Sequence, residues 1–176
     1  MATEDDILKQ AAEHFKQARL EPRDEEASRP EEAEARSRRE LNEKEVRIIG
    51  VYEYQNGGAF VLLRDARARN LPIWIGQEQM MSIALAVEGS TAVRPMTHDL
   101  TKLLVERLGG SLDYVLVDDL HNNVYYAKLC LRQADKSQEI DCRPSDAIAM
   151  ALRFKAPVYV ADHVLEAGNW PEPIDE

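Results

Sequence analysis

A shift of about 65 residues, made without gaps, lays one half of this chain's apolar region onto the other. Ser82-Ile83-Ala84-Leu85-Ala86-Val87 falls on Ala147-Ile148-Ala149-Met150-Ala151-Leu152, Ile75 on Ile140, Phe60 on Tyr125 and His98 on His163. Such a chain is expected to build one unit twice and to cover the apolar face of each copy with the other. In the first copy, residues 46–54 read as a strand, Asn56-Gly57-Gly58 as a turn, and residues 59–63 as the returning strand. Residues 71–76 make a third strand, with Pro72 near its start, where a missing donor is tolerated. Met80, Met81, Ala84, Leu85 and Val87 then recur at helical spacing over residues 77–88. The second copy repeats the order with strands at 112–117, 124–131 and 138–142. A helix follows from Pro144, with Ile148, Ala149, Ala151 and Leu152 on its apolar side. Between the copies, Thr97 is expected to cap a helix carrying the stripe Leu100, Leu103, Leu104 and Leu108, which Gly109-Gly110 ends. The predicted fold class is α+β: two copies of a strand-strand-strand-helix unit, mostly antiparallel sheet, wrapped together in a barrel-like way.

The repeat divides the chain into residues 1–45, a charged extension; 46–168, the folded domain with copies at about 46–110 and 111–168; and 169–176, a tail expected to be loose. The whole chain carries 22 Lys+Arg against 32 Asp+Glu, a net charge of −10. Residues 1–45 hold 9 and 14 of these and residues 46–176 hold 13 and 18, so each part carries −5. The sign excludes a generally basic, histone-like nucleic-acid binder. Hydrophobic residues at 44% suffice for a core and exclude a wholly disordered chain. In the extension, Ile7, Leu8, Ala11, Ala12, Phe15 and Ala18 fall near helical spacing. Two readings stand for it: a solvated extension, or a docking helix at residues 5–20 for a protein partner or a second subunit. No stretch approaches the ~20 apolar residues of a membrane span, and the acidic N-terminus has no hydrophobic signal region. With only Cys130 and Cys142, which could face each other across a hairpin as buried thiols, the expected location is the cytoplasm.

The chemistry is read from what is missing as well as from what is present. The chain has no G-x-x-x-x-G-K-[ST], no G-x-G-x-x-G before a helix, no C-x-x-C and no H-E-x-x-H, which argues against P-loop and dinucleotide enzymes and structural zinc. Two polar spots sit at helix starts. In Asp141-Cys142-Arg143-Pro144-Ser145-Asp146, a strand gives way to a helix whose free backbone donors favour a phosphate. Arg143 would add bidentate contacts, with Ser145 beside it, and Asp141 and Asp146 would hold a divalent metal or position a water. The competing reading is structural: Ser145 helps cap the helix, Asp146 complements its dipole and Arg143 pairs with Asp141. In Arg94-Pro95-Met96-Thr97-His98-Asp99, a His beside an Asp suits a general base, a metal ligand or a phosphate donor; the competing reading is a capped helix with His98 exposed. Packed about a pseudo-twofold, the two spots would share a cleft. Asp118-Asp119 reads as a turn former or a Mg²⁺ pair, and Arg64, Arg67 and Arg69 as a solvated loop or a backbone-tracking patch.

Three ordered segments together are more specific than any of these spots. Residues 71–76 (LPIWIG), 94–100 (RPMTHDL) and 141–153 (DCRPSDAIAMALR), with 156–160 (APVYV) closing, resemble the bifunctional nuclease domain family over about residues 46–168. Cys142 departs from the pattern, standing where a small residue such as Ala is expected. The resemblance implies an α+β fold, action on both DNA and RNA, and a homodimer. The expected function is therefore low-specificity hydrolysis of phosphodiester bonds. His98, Asp99, Asp141 and Asp146 would be catalytic, and Arg94, Arg143 and Ser145 would bind phosphate. The metal candidates, for an ion such as Mg²⁺, are Asp99, Asp141 and Asp146. The alternative is a non-catalytic module that holds an anion or a nucleotide at the same helix starts.

Overall fold

The structure, a computed structural model, describes residues 42–53, 58–90 and 92–170. The docking helix expected at residues 5–20 lies outside these. Among the described residues, seven strands form one curled, half-barrel sheet: β1 (Lys44–Glu53), β2 (Ala59–Asp65), β3 (Asn70–Ile75), β4 (Gly110–His121), β5 (Val124–Gln133), β6 (Lys136–Cys142) and β7 (Val158–Val160). Four helices among these residues accompany them: α1 (Gln77–Val87), α2 (Thr97–Arg107), α3 (Pro144–Phe154) and α4 (Asp162–Ala167). None of the described helices is long and apolar enough to cross a membrane.

Alternation decides which residues meet the helices, because successive strand side chains point to opposite faces. On β1, β2 and β3 the helix-covered face carries Val46, Ile48, Val51, Val61, Leu63, Leu71 and Ile73. The opposite face carries Tyr52, Phe60 and Trp74 in register across the three strands. A bulge between Ile48 and Gly50 resets the alternation, so that Val51 still points inward. The helix α3 is the centre of the core: Ala147, Ile148, Ala149, Met150 and Ala151 are all buried in it. Its small residues let α1 pack closely on one side while its other side lies on β4 and β5.

The strand order is β3-β2-β1-β7-β4-β5-β6. The element order strand-strand-strand-helix thus occurs twice, as two antiparallel three-stranded units. They do not pair directly with each other. The three residues of β7 join them, antiparallel to β1 (Lys44↔Val160) and parallel to β4 (Val115↔Val158). This is the sheet's one parallel pairing among the described strands. A strand at 158–160 is missed by pattern reading, since three residues are too few to show a period. The gapless shift places it on Val93-Arg94-Pro95, which forms no strand.

Several expectations change. Thr97 is not the N-cap of α2: Met96 is, because the Asp99 carboxylate reaches back and accepts the Met96 N–H at 2.9 Å, starting the helix one residue earlier. Cys130 and Cys142 do not face each other; their partners across the β5–β6 pair are Glu139 and Ala127. An odd offset of three residues puts them on opposite faces of the sheet. Nor do Arg64, Arg67 and Arg69 make a phosphate-tracking patch. Arg69 bridges Asp65 and Asp162, each at 2.8 Å, and Arg64 Nε donates to Asn70 Oδ1. The tail is anchored at its start, where Trp170 N donates to Asn70 O at 2.8 Å and its ring stacks over Phe60.

α2 faces the wrong way for a core helix. Amphipathic helices ordinarily turn their apolar stripe inward. Here none of its 11 residues is buried; Leu100, Leu103 and Leu104, with Leu108 just beyond, point outward, while His98, Thr101, Lys102 and Val105 are partly covered.

The central place of α3 makes it the most sensitive core element. Ile148→Ala is expected to cost about 2–5 kcal/mol of stability, measurable as a lowered urea midpoint at unchanged slope.

Candidate functional site

The buried face of α3 fixes the position of its two ends. At its N-terminus, Pro144 opens the helix with a preset φ and no N–H to leave orphaned. The Arg143 carbonyl accepts the N–H groups of Asp146 and Ala147. Much of the expected phosphate cradle of backbone donors is therefore already used. Ser145 is buried and is not the cap; Arg143 holds that position through its backbone. What projects from this end is the Arg143 side chain, 67% exposed, folded over Asp146 with Nε–Oδ2 at 2.8 Å.

Asp146 is the meeting point of the two polar spots seen in the sequence. Its Oδ1 receives His98 Nε2 from the first turn of α2 at 3.1 Å and Arg143 at 3.2 Å. The other ring nitrogen, His98 Nδ1, lies 2.8 Å from Ser82 Oγ on α1. Ser82 is 2% exposed, and its Oγ also accepts a hydrogen bond from the Arg153 guanidinium at 3.1 Å. Donor and acceptor counting orders this chain. Asp146 is only an acceptor, so His98 Nε2 carries the proton of the neutral ring. Ser82 then donates to Nδ1 and accepts from Arg153. Although a Ser, a His and an Asp stand in line, Ser82 is no nucleophile, because its hydroxyl is sealed inside and bonded at both ends.

Arg153, 8% exposed, closes the network from the last turn of α3. Its Nε donates to Asp99 Oδ1 at 2.6 Å, and its terminal nitrogens donate to Ala149 O, Ser82 O and Ser82 Oγ. One planar fork thereby ties α3 to α1 and α2. Both carboxylates are held below their ordinary range. For Asp146 the His98 hydrogen bond is the main cause, opposed by burial and reinforced by Arg143. For Asp99 burial pushes upward, but the hydrogen bonds from Arg153 and Met96 N with the Arg153 charge outweigh it. The neighbouring Cys142 thiol is pushed up to about 12 by burial and then by Asp146 and Asp141, so it stays protonated.

The structure thus brings together His98, Asp99, Asp146 and Arg143, with Ser82 and Arg153, to which pattern reading assigned no role. Asp141 is exposed on β6, opposite Lys128, and Arg94 is exposed before α2. The residues do not fit a preformed divalent-metal site: no group of three or more His, Cys, Asp or Glu among the described residues could hold one. Both oxygens of Asp99 and of Asp146 are instead turned to nitrogen donors. His163, the counterpart of His98, faces Asp119 at a loose 3.4 Å, and Asp118 faces Lys128 at the same distance. The Asp118-Asp119 pair is thus split between Lys128 and His163 rather than presented as one ligand set.

Known proteins resemble this chain. The sequence model of one family, the bifunctional nuclease domain, matches residues 61–172. An uncharacterized protein of Mycobacterium tuberculosis is 42% identical over 136 residues, 75% of this chain and 81% of its own length. Bifunctional nuclease 1 of Arabidopsis thaliana is 30% identical over 133 residues, covering 69% of this chain and 41% of the plant protein. Bifunctional nuclease 1 of Oryza sativa subsp. indica is 29% identical over 118 residues, 65% of this chain and 36% of the rice protein. The chain therefore spans well under half the length of these plant relatives.

Arg153→Met keeps the volume and removes the fork, leaving Asp99 Oδ1 without its guanidinium. A loss on the order of 3 kcal/mol is expected, and Arg153→Lys is expected to recover little of it, since one ammonium cannot reach all the acceptors. Because both carboxylates sit below their ordinary value near 3.8, their stabilisation is complete above it and is lost as pH falls below it. Asp146→Asn should flatten the loss of stability between about pH 4 and pH 2 in acid titrations followed by circular dichroism.

Proposed function

The chain belongs to the bifunctional nuclease domain family, and we propose that it hydrolyses phosphodiester bonds of DNA and RNA with low sequence specificity at the Arg143–Asp146–His98 cluster. The observation that carries this reading is an exposed arginine folded over a carboxylate that His98 also holds. Arg143 is largely in solvent and bonded to Asp146 alone among the described side chains, so a substrate phosphate can exchange for that carboxylate. Arg94, exposed in the segment before α2, would add a second cation to the phosphate path.

In this mechanism the phosphate takes the guanidinium and frees Asp146 Oδ2, which then accepts a proton from a water molecule. The water oxygen bonds to phosphorus as the bond to the leaving ester oxygen breaks, and that oxygen takes a proton from solvent. Arg143 neutralises the charge on the phosphoryl oxygens. His98 acts as a positioning residue. Its Nε2–H fixes Asp146 Oδ1 and keeps the carboxyl ionised, and Ser82 fixes the ring in turn. Asp99 works through Arg153, holding the start of α2 in place. The two halves, matching in element order, would be copies of one unit in which only the second kept the arginine at its helix start; Glu78 takes that place in the first.

A second reading has its own support. Both ring nitrogens of His98 are already hydrogen-bonded, which suits a rigid anion-binding module as well as a catalyst.

Cleavage of single-stranded DNA and RNA, with and without EDTA, separates these readings. Hydrolysis should fall by about 10²–10⁴-fold in Asp146→Asn, and Arg143→Ala should lose rate with a raised KM. His98→Ala removes the main cause that lowers the Asp146 carboxyl, so the acid limb of its pH–rate profile should move to higher pH. Cleavage equal to wild type in all three variants would place the activity elsewhere. Absence of hydrolysis together with thermal stabilisation by nucleotides would favour the binding module.

A further inference from the structure

We propose that the chain's own residues 5–20 dock, through Ile7, Leu8 and Phe15, on the face of β1, β2 and β3 turned away from the helices. That face runs in three rows across the strands. Tyr52, Phe60 and Trp74 form the first, Gly50, Leu62 and Pro72 the second, and Arg47, Arg64 and Asn70 the third. The middle row is the buried one. Leu62 is 0% exposed and Phe60 beside it 5%, and Pro72 is buried although it stands on the edge strand β3. Neither Leu62 nor Phe60 belongs to the core gathered on the helix side. Their cover must come from above the other face.

Neighbours within the sheet do not supply it. A strand side chain stands roughly perpendicular to its sheet, so it is hidden only by taller neighbours or by a layer above it. The cross-strand neighbours of Leu62 are a glycine and a proline, both low. Tyr52 leans over Gly50, its ring 3.4 Å from where an added Cβ would stand, and Trp170 stacks over Phe60 with ring centroids 6.4 Å apart. These rings cover the margin of the patch, and a leucine at 0% between them requires a further layer.

The sequence holds one segment suited to that layer. Helical spacing puts Ile7, Leu8, Ala11, Ala12, Phe15 and Ala18 on one side of residues 5–20. Residues 54–57 offer only Tyr54 and residues 171–176 only Ile174 as a large apolar side chain. Charge agrees with the choice. Residues 1–45 carry −5, and the third row sets Arg47 opposite Arg64. Residues 21–41 connect the segment to Asn42, and that length extended spans up to about 70 Å, ample to cross three strands. This inference concerns the chain's own packing and does not depend on the proposed hydrolysis.

Both tryptophans of the chain, Trp74 and Trp170, stand on this face and report on its cover. In the full chain their fluorescence should lie to the blue of exposed indole and resist acrylamide quenching. Ile7→Asp together with Phe15→Asp should shift the emission to longer wavelength and raise the quenching, with a cooperative urea transition retained. Phe15→Ala should act in the same direction and by less. Gln17→Asp, on the polar side of the segment, should leave both readings as they are. Emission and quenching unchanged in both Phe15 variants would overturn the proposal. So would a red shift in Ile174→Asp with none in the Phe15 variants, which would assign the cover to the tail. A wild-type spectrum that shifts to the red on dilution would assign it to a second copy and overturn the proposal equally.

Discussion

The guanidinium of Arg153 is the constraint around which the helical layer is built. A buried cation must find acceptors or lose several kcal/mol. Here they come from three helices: Ala149 O on its own helix, Ser82 O and Oγ on α1, and Asp99 on α2. Satisfying the fork sets the distance of α1 from α3 and fixes the first turn of α2. That turn carries His98, so the imidazole meets Asp146 only because Arg153 has already placed the helix. The small residues of α3 allow the approach, and the arginine gives it one register.

An acidic protein can receive a polyanion only where its cations are gathered and the opposing acids are engaged. In this fold some of the cations are already spent. Arg69 is locked between Asp65 and Asp162, and Lys128 between Asp118 and Glu139. Arg143 differs because its carboxylate partner is itself held by His98, so its exchange for a phosphate leaves that carboxylate with a partner. The cluster is thus a relay of polar groups running from the protein interior to one exposed arginine.

Much of this was legible in the residues, and the exceptions have physical causes. Six of the seven strands and the three longer helices announce themselves through alternation, helical spacing and turn chemistry. The family resemblance was carried by segments that turn out to hold β3, the start of α2 and α3, and the family comparison supports it. β7 was illegible because its order comes from neighbours on both sides rather than from its own pattern. Ser82 and Arg153 were passed over for a related reason: each is one polar residue in an apolar helix, and only the tertiary fold makes them meet. A signal did exist, since a hydroxyl inside SIALAV and an arginine closing AIAMALR both require buried partners. The orientation of α2 could not be read at all. Periodicity finds a stripe but does not say which side of the helix meets the domain.

The seam at β7 also governs the order of assembly. Its pairing with β1 joins Lys44 to Val160, so the two halves of the sheet stay separate until nearly the whole described chain exists. Each three-stranded unit can form from neighbours in sequence, but the last closure spans more than a hundred residues and carries the corresponding loop entropy. During synthesis the first unit emerges with the side of β1 that β7 will occupy still unpaired, an open edge that can recruit other strands. The parallel contact with β4 becomes available only after α3 has been made. The architecture therefore finishes from its middle, and its slow step belongs to the shortest strand in the sheet.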